Sequence, residues 1–210
     1  MVGEMKAKQL PKGTWSKSIQ YFYSLKNSAY SWCESQLERD ALLILEFDDE
    51  IESYKSQPIS IQYKNTLGET CRYTPDYLFK RKVSGKFIFR EVKMFERIND
   101  ELKEKVALIN RRLTSSYDSK LEIISSNEIR VGSRIDNLNM LYSYRRVQVD
   151  PSHANGIINR MPSEFPYAEL IDAAKKAGEK NVIPLCLLAH GYLCFDMTSP
   201  LASNTRINKK

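Results

Sequence analysis

The sequence predicts an α/β protein with a mixed β-sheet flanked by helices, followed by a small α+β domain. Two observations support this prediction. Between residues 35 and 125, apolar residues at helical spacing alternate with runs of β-branched and aromatic residues, in the order helix, three strands, helix, strand. After residue 136, shorter helical segments lead into two strand-like segments. We therefore predict one domain over residues 1–136 and a second over residues 137–210.

The first predicted helix covers residues 35–46. Leu37, Ala41 and Leu45 recur on one face, and neither glycine nor proline interrupts them. Three strand-like runs follow at residues 59–63, 73–80 and 86–94, rich in β-branched and aromatic side chains, with turns at Gly68 and at Ser84-Gly85. A long helix is expected from Phe95 to Leu113, and a last strand over residues 121–125.

The second domain combines short helices, a loop and a terminal hairpin. The helices are expected at residues 137–147, 167–177 and 182–190, the loop at 150–152, and the hairpin strands at 192–197 and 205–208. Helices followed by a hairpin form the outline of a winged-helix module. The helix over residues 182–190 would face DNA bases there, but it contains no Arg, Lys, Asn or Gln. We expect this domain to pack internally or bind protein, with Arg206, Lys209 and Lys210 contacting phosphates at most.

Charge points to a polyanionic partner. The 210 residues carry a formal charge of +6, and residues 1–30 form a basic N-terminal arm with five lysines, including Lys6, Lys8 and Lys12, against one glutamate. Trp15 in this arm could stack on DNA or pack in the core. No apolar run reaches the roughly 20 residues of a membrane span, so we expect a soluble, cytoplasmic protein without a membrane partner. The four cysteines form no CxxC pair, which favours reduced thiols over a zinc site.

Residues 34–52 form an acidic stretch, with eight carboxylates against one arginine. Glu34 and Glu38 lie one helical turn apart within it, beside the apolar face of the first helix. A solvated helix face is the more common origin of such a charge run, but a nucleic-acid-binding protein can also concentrate carboxylates to hold a metal.

A second group of charged residues lies on the predicted strands. Glu91 and Lys93 share one face of the third strand, because side chains alternate along a strand. If the second and third strands form a hairpin around Ser84-Gly85, Asp76 lies near the same end of the sheet. Two close carboxylates disfavour each other's ionisation unless a cation neutralises them, and hard oxygen ligands suit Mg²⁺ or Mn²⁺. The alternative is a turn carboxylate and an exposed ion pair.

Pro75-Asp76 followed by Glu91-Val92-Lys93 resembles the PD-(D/E)xK nuclease signature. The wider sequence resembles the TnsA family, the endonuclease subunits of heteromeric transposases. The matching segments are residues 34–40, 45–48, 54–59, 72–78 and 90–93, with a weaker match at 196–201 and Thr205. The resemblance is strong over about residues 20–95.

This resemblance implies a restriction-endonuclease-like core, a winged-helix-like C-terminal domain, and hydrolysis of the 5′ strand at transposon ends during cut-and-paste transposition. The catalytic residues that it implies are Glu38, Asp76, Glu91 and Lys93. The implied ligands of Mg²⁺ or Mn²⁺ are Asp76, Glu91, Glu38 and the carbonyl of Val92. Glu34 is an alternative to Glu38 on the same helical face. The implied partners are double-stranded DNA at the transposon ends, a TnsB-like DDE transposase subunit and a TnsC-like AAA+ ATPase regulator.

Two other functions remain open at this point: a stand-alone restriction or repair nuclease of the same fold, and a non-catalytic DNA-binding subunit whose carboxylates are structural. Because no sequence-reading element is recognisable, the sequence favours a nuclease that depends on a partner transposase to find its DNA ends.

Overall fold

The computed structural model of the protein describes residues 19–210. Residues 1–18 of the predicted basic arm, with Lys6, Lys8, Lys12 and Trp15, lie outside the described residues. The chain divides into two compact units, of which the first ends at Ile129 and the second is Arg130–Lys210. This division falls earlier than the boundary predicted at residue 136, because Ser133 N–H already donates to the carbonyl of Thr198 in the second unit, at 2.8 Å. No helix among the described residues is long and apolar enough to cross a membrane.

The described part of the first unit alternates strands and helices. In chain order these are β1 (Gln20–Ser24), β2 (Ala29–Cys33), α1 (Gln36–Phe47), β3 (Ile51–Ser56), β4 (Ile61–Lys64), β5 (Thr70–Tyr73), β6 (Tyr77–Arg81), β7 (Phe87–Lys93), a 3₁₀ turn (Phe95–Arg97), α2 (Asp100–Tyr117), β8 (Lys120–Ser125) and α3 (Ser126–Ile129).

A four-stranded mixed sheet organises this unit, with the strand order β3-β6-β7-β8. The pairs β3/β6 and β6/β7 are antiparallel, whereas β7 and β8 are parallel and are connected through α2. The prediction of a mixed sheet flanked by helices is confirmed. Ile109 and Leu113 of α2 are fully buried against Leu78, Phe89 and Leu121 of the sheet, so burial of apolar surface fixes the helix on this face.

Three local predictions are confirmed. Helix α1 begins directly after Ser35, whose side chain accepts the N–H of Glu38, and its predicted apolar face is buried. Strand β8 forms close to its predicted position. The hairpin between β6 and β7 turns at Ser84-Gly85, where Gly85 has a φ of 65° that favours glycine.

Other predictions about this unit were wrong in detail. The strand predicted over residues 73–80 is two strands, because Pro75 has no N–H to donate and the chain bends there. As a result β5 pairs with β4 in a separate hairpin. The helix predicted from Phe95 begins at Asp100, where the Asn99 side chain accepts the N–H of Leu102 at 2.9 Å. The antiparallel hairpin β1–β2 and the strand β3 were not predicted.

The second unit contains short helices and a small antiparallel sheet. Its elements are α4 (Arg134–Tyr144), α5 (Pro151–Ile158), β9 (Glu164–Pro166), α6 (Tyr167–Lys176), α7 (Ile183–Ala189), β10 (Leu193–Cys194) and β11 (Arg206–Lys209). The predicted terminal hairpin is present as β10 and β11, and β9 adds a third strand on the other side of β11. The loop predicted at residues 150–152 was wrong, because Asp150 caps α5 and Pro151 occupies its first turn. The winged-helix assignment stays a prediction.

Candidate active site

Asp76 and Glu91 meet at the end of the β6–β7 pair. Tyr77 pairs with Arg90 across the two strands, so the next residue outward on each strand is Asp76 on one side and Glu91 on the other. Asp76 lies in the connection just before β6 and not within a strand. Its Oδ2 accepts the N–H of Val92 at 2.7 Å, which fixes the carboxylate against the backbone of β7.

The backbone of Asp76 is also held. The N–H of Gln57 donates to the Asp76 carbonyl at 2.8 Å. Gln57 is buried and has a φ of 44°, a left-handed conformation that is costly for a residue with a side chain. Gln57, at the end of β3, is thus hydrogen-bonded to Asp76, just before β6, and this bond fixes the backbone of Asp76.

Glu91 is buried, with only 4% of its surface exposed, yet its carboxylate is only partly satisfied. Oε1 forms an ion pair with the ammonium of Lys93 on the same face of β7. Oε2 is inaccessible to solvent and has no hydrogen-bond partner among the described residues. An unpartnered carboxylate oxygen in this position is costly, and a cation or an ordered water molecule would satisfy it.

The hydroxyl of Tyr73 is, like Glu91 Oε2, a buried polar atom without a hydrogen-bond partner within the described part of the chain. Burial and then the charge of Glu91 raise the pKa of Tyr73 well above its usual value. The two groups are close enough to interact electrostatically, although they do not meet in hydrogen-bonding geometry. Sequence reasoning missed Tyr73, although its place three residues before Asp76 was a usable signal.

The site carries more negative than positive charge. Burial, followed by the charges of Glu91 and Glu38, raises the pKa of Asp76 to about 8, against the opposing effects of the Val92 N–H and Lys93. Burial lowers the pKa of Lys93, but its ion pair with Glu91 and the nearby charges of Asp76 and Glu38 outweigh this effect and raise it. Lys93 therefore stays protonated, and one ammonium faces three carboxyl groups. Perturbed titration of this kind is typical of functional sites.

Glu38 contributes charge, but its carboxylate is already engaged at the start of α1. Oε1 accepts from the Ser35 hydroxyl at 2.8 Å, and Oε2 accepts the N–H of Glu34 at 2.9 Å. Since the Ser35 hydroxyl also accepts the N–H of Glu38 at 3.2 Å, the arrangement is a variant of the capping box in which Glu38 accepts the N–H of Glu34 and not that of the cap residue. The spacing Ser-x-x-Glu gave a signal for this role in the sequence. Glu34 lies immediately before the capping residue.

Two residues of the site, Asp76 and Glu91, offer ligands that suit a divalent cation. Among residues 19–210, no group of three or more His, Cys, Asp and Glu side chains is placed to hold a metal ion. Asp76 and Glu91 nevertheless offer carboxylate oxygens side by side, and one of these oxygens is buried without a partner. Oxygen ligands of this type fit Mg²⁺ or Mn²⁺. The contact that Val92 makes here is through its N–H.

A mixed sheet with an aspartate, a glutamate and a lysine gathered at one end has the arrangement of a PD-(D/E)xK nuclease domain. Comparison with protein families agrees: the model of the TnsA-like endonuclease N-terminal domain matches residues 48–126. Over this segment the chain is similar to the TnsA family, as its motifs predict. The matched segment contains Asp76, Glu91 and Lys93, but neither α1 nor the second unit. No curated protein matches the chain.

Proposed function

We propose that the protein is the endonuclease subunit of a transposase and hydrolyses the 5′ strand at transposon ends in a metal-dependent reaction. The observation that supports this most strongly is the meeting of Asp76, Glu91 and Lys93 at one end of β6 and β7. This meeting falls inside the segment that matches the TnsA-like endonuclease domain. The family supplies the reaction class, and the geometry supplies residues able to perform it.

In this proposal Asp76 and Glu91 hold Mg²⁺ or Mn²⁺. The Val92 carbonyl would be a further ligand, as would Glu38 once its side chain rotates out of the capping box. When bound, such an ion lowers the pKa of a water molecule and offsets charge on the leaving 3′ oxygen. The buried, unpartnered Oε2 of Glu91 and the carboxylate repulsion that raises the pKa of Asp76 both support cation binding at this corner.

Lys93 acts on the phosphate and the attacking water. Because it remains protonated, it donates hydrogen bonds and cannot serve as the general base. Its ion pair with Glu91 keeps the ammonium beside the carboxylates, where it can orient the water and stabilise the negative charge that develops on the phosphate. The Val92 N–H and Gln57 keep Asp76 in place, and such support preserves the geometry of a reactive site.

We further propose that recognition of the DNA ends comes from a TnsB-like DDE transposase subunit, under the control of a TnsC-like AAA+ ATPase. Helix α7 supports this dependence on partners. It has no side chain suited to reading bases, and most of its residues are buried in the second unit, among them Cys186, Leu187 and Leu188. A unit of this kind contributes little sequence recognition of its own.

One observation favours a second candidate, a non-catalytic DNA-binding subunit. Glu38, which the family resemblance places in the catalytic set, has both carboxylate oxygens in the capping box. In that case the acidic corner would be structural, and substitutions of Asp76 or Lys93 would leave the reaction products unchanged.

Transposition products distinguish the two candidates. In a strain carrying Asp76→Ala or Lys93→Ala, the partner would still cut and join the 3′ strands, while the 5′ strands stay attached to the donor. Replication would then produce cointegrates in place of simple insertions, which long-read sequencing detects. Lys80→Ala is the matched control, since Lys80 lies on β6 but pairs with Glu52. Simple insertions at wild-type frequency from both site variants would favour the non-catalytic subunit.

A further inference from the structure

A polar groove opens beside the candidate active site, formed by the 3₁₀ turn and the first turns of α2. It has a volume of about 260 Å³ and is lined by Lys93, Arg97, Asn99, Glu101, Leu102 and Lys105. Lys93 belongs to this groove and also forms the ion pair with Glu91, so the groove and the reactive corner are continuous. The hydrolysis proposed above uses no other residue of the groove.

The charges in the groove are mainly positive, and of its three cationic side chains Lys93 forms an ion pair, with Glu91. Arg97 is exposed, and within residues 19–210 no carboxylate lies close enough to form an ion pair with it. The ammonium of Lys105 lies 4.3 Å from the centroid of the Tyr73 ring. This cation–π contact holds the ammonium in place and leaves its charge available. Glu101 is the one acidic side chain that lines the described groove.

These features suit an anion and not an apolar ligand. The groove is smaller than the roughly 300–1,000 Å³ of most small-molecule pockets, and every side chain that lines it except Leu102 is polar or charged. Arg97 offers a planar set of donors that matches phosphate oxygens, and Lys105 offers a point charge. If one phosphate of an extended polyanion lies beside Asp76 and Glu91, the next phosphate along the chain would lie in this groove.

We propose that the groove binds the backbone phosphate adjacent to the scissile one, with Arg97 and Lys105 as its ligands. The ligand class is the sugar-phosphate backbone of DNA, independent of base sequence. Tyr73 acts as a positioning residue, because its ring supports the Lys105 ammonium and its hydroxyl lies near Glu91. The proposal rests on the nuclease function, since that function places the scissile phosphate beside Lys93.

The test measures binding without cleavage. The full-length protein is titrated into a fluorescently labelled duplex of mixed sequence in EDTA, and anisotropy gives the affinity over a series of KCl concentrations. Loss of one phosphate contact should reduce the slope of log affinity against log salt by about 0.9. Lys105→Gln and Arg97→Gln should each show this reduction and bind about tenfold more weakly at low salt. Glu101→Gln should bind more tightly.

Lys103→Gln is the matched control. Lys103 lies two residues from Lys105 on α2, is exposed, pairs with Asp100 at 2.9 Å and does not line the groove. It should keep the wild-type slope, whereas equal slopes for Lys103→Gln and Lys105→Gln would overturn the proposal. Absence of wild-type binding even at the lowest salt would also overturn it. A reduced slope in Lys105→Gln, together with a wild-type protein that leaves the 5′ strand uncut in the assembled transposase with Mn²⁺, would support the phosphate site and reject the nuclease function.

Discussion

Two buried glutamates in the first unit, Glu46 and Glu91, differ in how far their carboxylate oxygens are satisfied. Glu46 on α1 is fully buried, and both of its carboxylate oxygens are satisfied. Oε2 accepts from the Ser24 hydroxyl at 2.8 Å and the Tyr54 hydroxyl at 2.6 Å, while Oε1 accepts the N–H of Lys26 at 2.9 Å. These bonds connect α1 to the β1–β2 hairpin and to β3.

Glu91 is almost as deeply buried as Glu46 but lacks such a closed network. One oxygen pairs with Lys93 and the other has no hydrogen-bond partner among the described residues. A buried carboxylate with satisfied oxygens stabilises the fold, whereas one with an open oxygen lowers stability until something binds it. The difference separates a structural acid from a candidate ligand, and it predicts opposite responses to the same substitution.

The largest effect is expected for cleavage in Lys93→Ala. Removing the ammonium should reduce the rate of DNA cleavage by the assembled transposase by about 10³-fold, because the attacking water and the phosphate lose their donor. Mn²⁺ binding should remain, since Lys93 is not a ligand. Strand-specific cleavage of an end-labelled duplex measures this rate, and Lys80→Ala provides the control. A cleavage rate close to wild type would remove Lys93 from the mechanism.

Glutamine substitutions test the comparison of the two glutamates directly. Glu46→Gln should lower the free energy of unfolding by about 3 kcal/mol, because an amide donor would then face groups that now donate to the carboxylate. Glu91→Gln should be neutral or stabilising in metal-free protein, since it removes charge from an unsatisfied site. Urea denaturation in EDTA measures both. Equal destabilisation by the two variants would show that both glutamates stabilise the fold, which contradicts the comparison.

The raised pKa of Asp76 also predicts how the stability of the metal-free protein depends on pH. Because the pKa of Asp76 is raised from 3.8 to about 8 in the folded protein, the folded state holds a proton that the unfolded state has lost between these values. Stability of the metal-free protein should therefore fall as the pH rises from about 4 to about 8. Asp76→Asn keeps an acceptor for the Val92 N–H and should remove this fall, because an amide does not titrate. Thermal unfolding in EDTA at several pH values checks it, and parallel curves for wild type and variant would contradict the raised pKa.

The sequence was sufficient where structure depends on neighbours along the chain. The Ser35 cap and apolar spacing define α1, and the Ser84-Gly85 turn sets the register that brings Asp76 beside Glu91. The same local reasoning explains why Glu91 and Lys93 share a face.

Local reasoning failed where distant segments determine the result. Strand β3 has the mixed sequence IESYKS, and its conformation comes from pairing with β6. Tyr73 reaches the site because the chain bends at Pro75, and Gln57 contacts Asp76 from the end of another strand. Neither contact has a periodic signal in the sequence. The Ser-x-x-Glu spacing from Ser35 indicates the capping role of Glu38, whereas the family resemblance assigns the same residue to the catalytic set.

Metal binding tests most directly whether the open carboxylates form a ligand site. Isothermal titration calorimetry with Mn²⁺ should show binding to the wild type that is at least about tenfold weaker in Asp76→Ala, because that variant keeps only one of the paired carboxylates. Glu52→Gln is the control, as Glu52 is an exposed acid that pairs with Lys80, and it should bind Mn²⁺ like the wild type. Circular dichroism confirms that each variant is folded. Equal Mn²⁺ binding by the wild type and Asp76→Ala would show that the Asp76–Glu91 corner is not a metal site.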